Sequence, residues 1–217
     1  LLTVGLTVGT VTTANSATVP IGTVISQNPS SGSTVALGSG VTLVISLGTA
    51  VPNVIGSPQA NAQSAITNVG LRVGTVTTAN SKTVLPGNVI SQNPVAGTNV
   101  SPGSTVNLVV SLGVAVPNVV GSPQANAQSA ITTAGLAVGT VTTANSATVP
   151  AGRVMNQNPA AGTNVAPGSA VALVVSLGAR VPDVVGLTQG NAQTAITTAG
   201  LTVGDRKSAE KGKRVPY

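Results

Sequence analysis

Self-repetition at a fixed spacing constrains this chain more than any other feature. The same sixteen residues occur twice with one substitution, as GLTVGTVTTANSATVP at 5–20 and GLAVGTVTTANSATVP at 135–150. A third copy, GLRVGTVTTANSKTVL, occupies 70–85, so the spacing is 65 residues each time. Residues 51–115 and 116–180 align without a gap and are identical at 49 of 65 positions. A constant period of this length is typical of a tandem array of small structural units.

The period predicts two full units flanked by two partial ones. Residues 51–115 and 116–180 are the full units, and residues 1–50 correspond to the second part of a unit. Residues 181–204 correspond to the first part, and residues 205–217 form a basic tail that leaves the repeat register. We assign no function to this tail.

The first part of each unit has the pattern of a short strand followed by a helix. Ser57 suits the position before the helix and Pro58 suits its first residue. Gly70 is typical of a helix end because a left-handed backbone costs glycine little. The apolar residues between these signals recur at helical spacing and predict one buried stripe, namely Ala62, Ala65, Ile66 and Val69.

The second part of each unit has the pattern of three strands. The first is broken at Gly74, where the alternation changes phase and predicts a bulge or bend. Residues 77–81 (TTANS) are typical of a turn, residues 87–94 predict the second strand, and residues 104–111 predict the third. Residues 112–115 then form a short linker.

The units are therefore expected to be α+β, each with one helix packed on a small three-stranded, mainly antiparallel sheet. An aliphatic core in a unit of this size is only marginally stable alone, so neighbouring units are expected to stabilise each other. We expect an elongated rod.

Composition excludes most catalytic and metal chemistry. The chain has no Cys or His and only three acidic residues, Asp183, Asp205 and Glu210. Metal sites and general acid–base catalysis need clusters of such groups, so we expect no enzyme activity and no cofactor. The tail contributes half of the net charge of +6, and the chain contains no Phe or Trp. Nucleic acid is therefore not an expected partner. The most apolar stretch, 41–56, is interrupted too soon to form a membrane span.

The repeat motifs resemble the PASTA repeat of penicillin-binding proteins and bacterial serine/threonine kinases. VPNVVG at 116–121, GLAVG at 135–139 and the long segment 150–178 carry this resemblance, which extends over residues 1–204. It implies an extracellular or cell-envelope location in a bacterium and one helix against a three-stranded sheet. It also implies a partner, peptidoglycan of the cell wall or a muropeptide, since the family is associated with uncrosslinked peptidoglycan and its stem peptides.

Three arginines, Arg72, Arg153 and Arg180, are the candidate residues for a stem-peptide carboxylate, because guanidinium groups bind carboxylates well. None has a charged counterpart in the other full unit, where the residues are Ala137, Asn88 and Ala115. A site would therefore belong to one unit, through Arg153, or to the junction near Arg180. Solvated surface charge is the alternative interpretation.

The recurring Gln-Asn-Pro motif, at 27–29, 92–94 and 157–159, also has two interpretations. It could present a hydrogen-bonding groove to a glycan, or it could end a strand and satisfy turn backbone groups. We favour the second.

The partial units at the two ends are complementary. Head-to-tail completion between chains would give an open contact and a filament, in which 196–204 would overlap 1–9. Alternatively, the sequence is a fragment of a longer array. The chain could thus be a structural spacer or a filament subunit instead of a wall-binding module.

Overall fold

The computed structural model describes residues 5–204, and the basic tail lies outside the described residues. Two compact units are present. Among the described residues, the first comprises 5–115 with Asn164–Pro167, and the second comprises Val116–Thr163 with 168–204.

The described residues of the first unit form three sheets, of three, four and two strands, and one helix. The elements are β1 (Thr7–Ala14), β2 (Val24–Asn28), β3 (Gly40–Ser46), β4 (Thr49–Ala50), α1 (Gln59–Asn68), β5 (Arg72–Asn80), β6 (Val89–Asn93), β7 (Asn99–Val100) and β8 (Thr105–Ala115). The first unit also includes β11 (Asn164–Val165). Those of the second unit are α2 (Gln124–Thr133), β9 (Ala137–Ala144), β10 (Val154–Asn158), β12 (Ala170–Ser176) and α3 (Gln189–Thr198).

Each three-stranded sheet is mixed, which corrects the prediction of a mainly antiparallel sheet. The third strand of a repeat lies between the other two, in the orders β1-β3-β2, β5-β8-β6 and β9-β12-β10. It is parallel to the first strand and antiparallel to the second. If each strand paired with the strand that follows it in sequence, every pair would be antiparallel. Inserting the last strand in the centre instead makes one of the two pairs parallel.

The predicted bulge at Gly74 is present. The register between β5 and β8 shifts between Val73 and Val76, and the Asn107 side chain fills the site. Its Oδ1 accepts a hydrogen bond from the Thr75 amide at 2.8 Å. A Cβ at Gly74 would approach this Asn107 oxygen too closely, and a Cβ at the corresponding Gly139 would lie 3.1 Å from the Val171 carbonyl carbon, so the strand pair leaves little room for a side chain at this position.

The helices begin one residue later than predicted, and no side chain caps α1 or α2. The residue before α1 is Pro58, not Ser57, because its backbone is still extended. The Gln59 amide instead donates to the Gly87 carbonyl at 3.0 Å. The start of the helix is therefore stabilised by the chain segment that precedes β6, a tertiary contact that local sequence does not reveal.

The core of each full repeat lies between the helix and one face of its sheet. In the second repeat it consists of Val51, Val54, Ala62, Ile66, Leu71, Val89, Val106 and Leu108, all nearly inaccessible to solvent. The matching residues of the third repeat are equally buried: Val116, Val119, Ala127, Ile131, Leu136, Val154, Val171 and Leu173. Aliphatic side chains alone fill both cores, as predicted.

Two local predictions around the third strand are wrong. The supposed linker 112–115 continues β8, because Val114 and Ala115 pair with Val165 and Asn164 of β11. The supposed turn at 77–81 is largely the end of β5, whose pairing with β8 extends to Asn80. Tertiary pairing extends the strand beyond what the local sequence indicates in both places.

The three helices among the described residues have ten residues each. None is long and apolar enough to cross a membrane.

Candidate ligand-binding residues

The predicted opening strand of each full repeat, residues 51–57 and 116–122, is an extended segment without strand pairing of its own. A buried glutamine joins this opening segment to the sheet of its repeat. Gln92 is 6% exposed, and its Oε1 accepts from the Val54 amide at 2.8 Å. Its Nε2 donates to the carbonyls of Pro52 at 2.8 Å and Pro94 at 3.3 Å. Gln157 makes the matching bonds to Val119, Pro117 and Pro159. One side chain thus satisfies three backbone groups.

These bonds support the structural interpretation of the Gln-Asn-Pro motif. The amide group of Gln92 is buried, and both its oxygen and its nitrogen are already hydrogen-bonded to backbone groups. The prediction assigned this motif only to the backbone groups of a local turn. Besides the local turn, the glutamine holds residues 52–54, about forty residues away in sequence. The same motif at 27–29 is exposed, and Gln27 donates to Pro29 O at 3.1 Å.

Arg153 has a structural partner as well as an exposed charge. Its Nη1 donates to the Gly121 carbonyl at 2.6 Å, just before α2. Asn88, the counterpart in the second repeat, donates through Nδ2 to Gly56 at 2.9 Å. The two residues therefore perform the same backbone contact. Arg153 additionally presents an exposed guanidinium at this position, and a guanidinium has five N–H groups to offer.

The other two candidate arginines are exposed and lie in different settings. Arg72 begins β5, where its amide donates to the Ser104 carbonyl at 2.9 Å. Arg180 follows β12 outside any described strand or helix. Arg72 belongs to the first unit, whereas Arg153 and Arg180 belong to the second. No hydrogen bond among the described residues joins any two of the three, so they remain separate candidates.

A shallow uncharged concavity on the sheet of the second repeat was not foreseen from the sequence. Its polar lining includes Thr75, Thr77, Ser91, Asn93 and Asn107. These hydroxyl and amide groups could hydrogen-bond an uncharged polar ligand. The alternation of the strands indicates which residues face solvent, but only the central position of β8 brings the three strands together here.

Comparison with known proteins identifies the family of the repeats. A protein-family description, the PASTA domain, matches residues 1–47, 49–112 and 114–177. Similar proteins include a probable serine/threonine-protein kinase of Corynebacterium efficiens, 36% identical over 158 residues, which are 70% of this chain and 24% of that protein. Another is a probable serine/threonine-protein kinase of Streptomyces coelicolor, 38% identical over 156 residues, 69% of this chain and 23% of that protein. The chain thus spans about a quarter of the length of the curated relatives it matches.

Two solved structures are also similar. One is the entire extra-cellular region of the Ser/Thr kinase PrkC from Staphylococcus aureus, with a TM-score of 0.37 and 26% identity over 82% of this chain and 65% of that one. The other is the three-PASTA-domain of a Ser/Thr kinase from Staphylococcus aureus, with a TM-score of 0.42 and 28% identity over 82% of this chain and 90% of that one. On the three family matches, which together cover most of the sequence, the chain belongs to the PASTA domain family.

Proposed function

We propose that this chain is a non-catalytic, extracytoplasmic module of a bacterial cell envelope that binds or lies against peptidoglycan. Family membership supports the class of partner, because PASTA repeats are associated with uncrosslinked peptidoglycan and its stem peptides. Family membership fixes the fold better than the function, so the proposal must also stand on particular residues.

The observation that carries the proposal is the setting of Arg153. Its hydrogen bond to Gly121 O holds the side chain beside the start of α2. The guanidinium nevertheless remains exposed to solvent. A carboxylate at the end of a stem peptide can accept charge-assisted hydrogen bonds from the remaining N–H groups. Arg72 and Arg180 are additional candidates, since both are exposed cations without a charged counterpart in the other full repeat.

Co-sedimentation of the purified chain with peptidoglycan sacculi tests the proposal. We expect saturable pelleting that depends on sacculi and weakens with added salt. Arg153→Asn is the informative variant because asparagine makes the corresponding backbone contact in the second repeat. It removes the charge while preserving that hydrogen bond, so loss of pelleting would reflect the charge. Arg153→Lys should retain part of the binding, and Arg72→Ala and Arg180→Ala test the other candidates.

Two results would contradict this proposal. Sacculi that leave the chain in the supernatant would exclude wall binding under those conditions. Equal pelleting of the wild type and all the arginine variants would remove these residues from any site, even if the chain binds elsewhere.

A structural spacer is the second candidate. Its support is the backbone pairing that joins consecutive repeats within the first unit. The β4 residues Thr49 and Ala50 pair with Val100 and Asn99 of β7. The lack of a repeated cation is also expected of a spacer. A chain that stays in the supernatant with and without sacculi would favour this candidate.

A further inference from the structure

The sheet of the second repeat has two faces, and the core of the repeat covers only one of them. Along the central strand β8, Val106 and Leu108 are buried in that core. Asn107 and Val109 alternate with them and therefore lie on the opposite side, which we call the outer face. This face carries the shallow concavity of the second repeat, with a volume of about 250 Å³.

One row of the outer face has an apolar centre between two hydroxyl groups. Val109 is the Cα partner of Thr77 on β5 and of Ser91 on β6, and paired residues of neighbouring strands project on the same face of a sheet. Neither hydroxyl has a hydrogen-bond partner among the described residues. In the first and third repeats, the threonine that corresponds to Thr77 donates to the carbonyl of the central-strand leucine, at 3.4 Å in both. The second repeat therefore keeps this hydroxyl available.

The adjacent row is centred on an amide group of fixed orientation. Asn107 is the Cα partner of Asn93, and its Oδ1 accepts from the Thr75 amide at 2.8 Å. Because a side-chain amide is planar, this bond also fixes the direction of the two Nδ2 donors. Within the described part of the chain, neither Nδ2 nor the side chains of Thr75 and Asn93 have a hydrogen-bond partner. The third repeat has Ala172 in place of Asn107, so this arrangement belongs to the second repeat.

We propose that the outer face of the second repeat binds an uncharged sugar residue. Its hydroxyl and amide groups both donate and accept hydrogen bonds, as the hydroxyls of a sugar do. Val109 offers an apolar contact to the C–H side of the ring. The side chains that line the concavity carry no charge, and a guanidinium enters only in the next row, where Arg72 is the Cα partner of Thr105. The chemistry therefore differs from that of the carboxylate proposed for Arg153.

The dimensions of the outer face suit a single ring. Three strands and two rows span about 10 Å by about 7 Å, given the usual spacings between strands and along them. The volume of about 250 Å³ lies just below the roughly 300–1,000 Å³ of pockets for drug-sized ligands. An open concavity of this size can hold one ring of a longer glycan. The proposal rests on the proposed function only for the source of the sugar, which would be the glycan of the wall.

Titration of the 217-residue chain with two neutral oligosaccharides, followed by amide resonances in NMR, tests the proposal. The probes are chitotetraose and cellotetraose, of which only chitotetraose carries acetamido groups. We expect saturable shifts at Thr75, Ser91, Asn107 and Val109, with a Kd on the order of 1 mM because an open site leaves the ligand largely hydrated. Shifts with both sugars would assign recognition to the hydroxyl groups, and shifts with chitotetraose alone would assign it to the acetamido group. The corresponding amides of the third repeat, at 140, 156, 172 and 174, are the internal control and should not shift.

Two variants of one residue separate ligand contact from structure. Asn107→Asp keeps an oxygen for the Thr75 amide and removes the Nδ2 donors, so affinity should fall about threefold to tenfold. Asn107→Ala reproduces the residue of the third repeat, so it should fold and should weaken binding at least as much. Asn61→Ala is the matched control, because Asn61 is exposed on α1, which packs on the other face of the sheet. Its affinity should equal that of the wild type.

Three results would overturn the proposal: no saturable shift with either sugar, equal shifts in the second and third repeats, or unchanged affinity in both Asn107 variants. The test is separate from that of the proposed function. Pelleting with sacculi that depends on Arg153, without any shift by the sugars, would remove this site and keep the wall-binding role. Sugar shifts without pelleting would keep this site and remove that role.

Discussion

At the scale of single residues, the buried side-chain amide of Gln92 connects two distant parts of the repeat. Gln92 bridges a strand end to a segment about forty residues earlier, and Gln157 repeats the arrangement. A buried polar group of this kind must be satisfied, because an unpaired donor or acceptor loses its hydration without compensation. The recurrence of glutamine at this position therefore follows from backbone geometry and does not require a ligand.

Replacement of this glutamine should destabilise a full repeat. Gln92→Ala leaves the Val54 amide and the Pro52 carbonyl without their partner. We expect the free energy of unfolding to fall by about 2–4 kcal/mol, since each unsatisfied group costs about 1–3 kcal/mol. Urea titration followed by circular dichroism measures it. Gln27→Ala is the matched control, because Gln27 is exposed and should change stability by less than about 0.5 kcal/mol. Equal effects of the two variants would refute this role.

At the scale of elements, the same helix sequence has different energetic consequences in different places. Helix α1 buries Ala62 and Ile66 completely, whereas α3 contains the same residue types and buries none. Most helical stability in proteins comes from packing of the apolar face and not from intrinsic propensity. The helix pattern is therefore necessary for a repeat but stabilises it only where a sheet lies against it.

Truncation of the central isoleucine tests this difference. Ile66→Ala removes a fully buried side chain and should cost about 2–5 kcal/mol. Ile196→Ala removes a half-buried side chain of α3 and should lower the free energy of unfolding by less than about 1 kcal/mol. Thermal unfolding at low protein concentration compares them without a contribution from association. A large effect of Ile196→Ala under those conditions would show that α3 is already packed.

The strands that join consecutive repeats impose a second constraint at this scale. Gly113 has φ +85° and lies where an added Cβ would overlap the Val165 carbonyl oxygen. Gly178 has φ +82°, but its nearest contact would be the Ala151 Cβ at 3.4 Å. The two glycines therefore share the backbone requirement and differ in the surrounding space.

Alanine substitution should separate these two effects. Both variants pay for a left-handed backbone, about 1–2 kcal/mol. Gly113→Ala also forces the chain away from β11, so we expect it to be about 1–3 kcal/mol less stable than Gly178→Ala. Denaturant titration measures the difference. Indistinguishable midpoints would indicate that the pairing of β8 with β11 is not maintained in solution.

At the scale of the whole molecule, burial is concentrated in the two full repeats. Leu108 and Leu173 are each 1% exposed, whereas the corresponding Leu43 is only half-buried. All three lie in the central strand of a three-stranded sheet. The backbone pairing is thus equivalent, and the difference lies in the cover provided by the opening segment and helix. Regions with few buried apolar contacts open at lower free energy.

Native-state hydrogen exchange should detect this gradient. We expect the Leu43 amide to exchange at least about tenfold faster than those of Leu108 and Leu173 at low protein concentration. Equal protection of all three leucine amides at low concentration would show that the first sheet is independently stable.

The sequence by itself determined the period, the helix stripe, the bulge at Gly74 and the PASTA identity. These features are local or repeated, so spacing and side-chain chemistry reveal them without knowledge of the fold. The tertiary structure decided the central position of β8, the partners of Gln92, the start of α1 at Gln59 and the extension of β8 to Ala115. Each depends on residues distant in sequence that share a hydrogen bond or a core only after the chain has folded. The same physical reason explains why sequence identified Arg153 as a cation, but only the structure showed it bonded to Gly121.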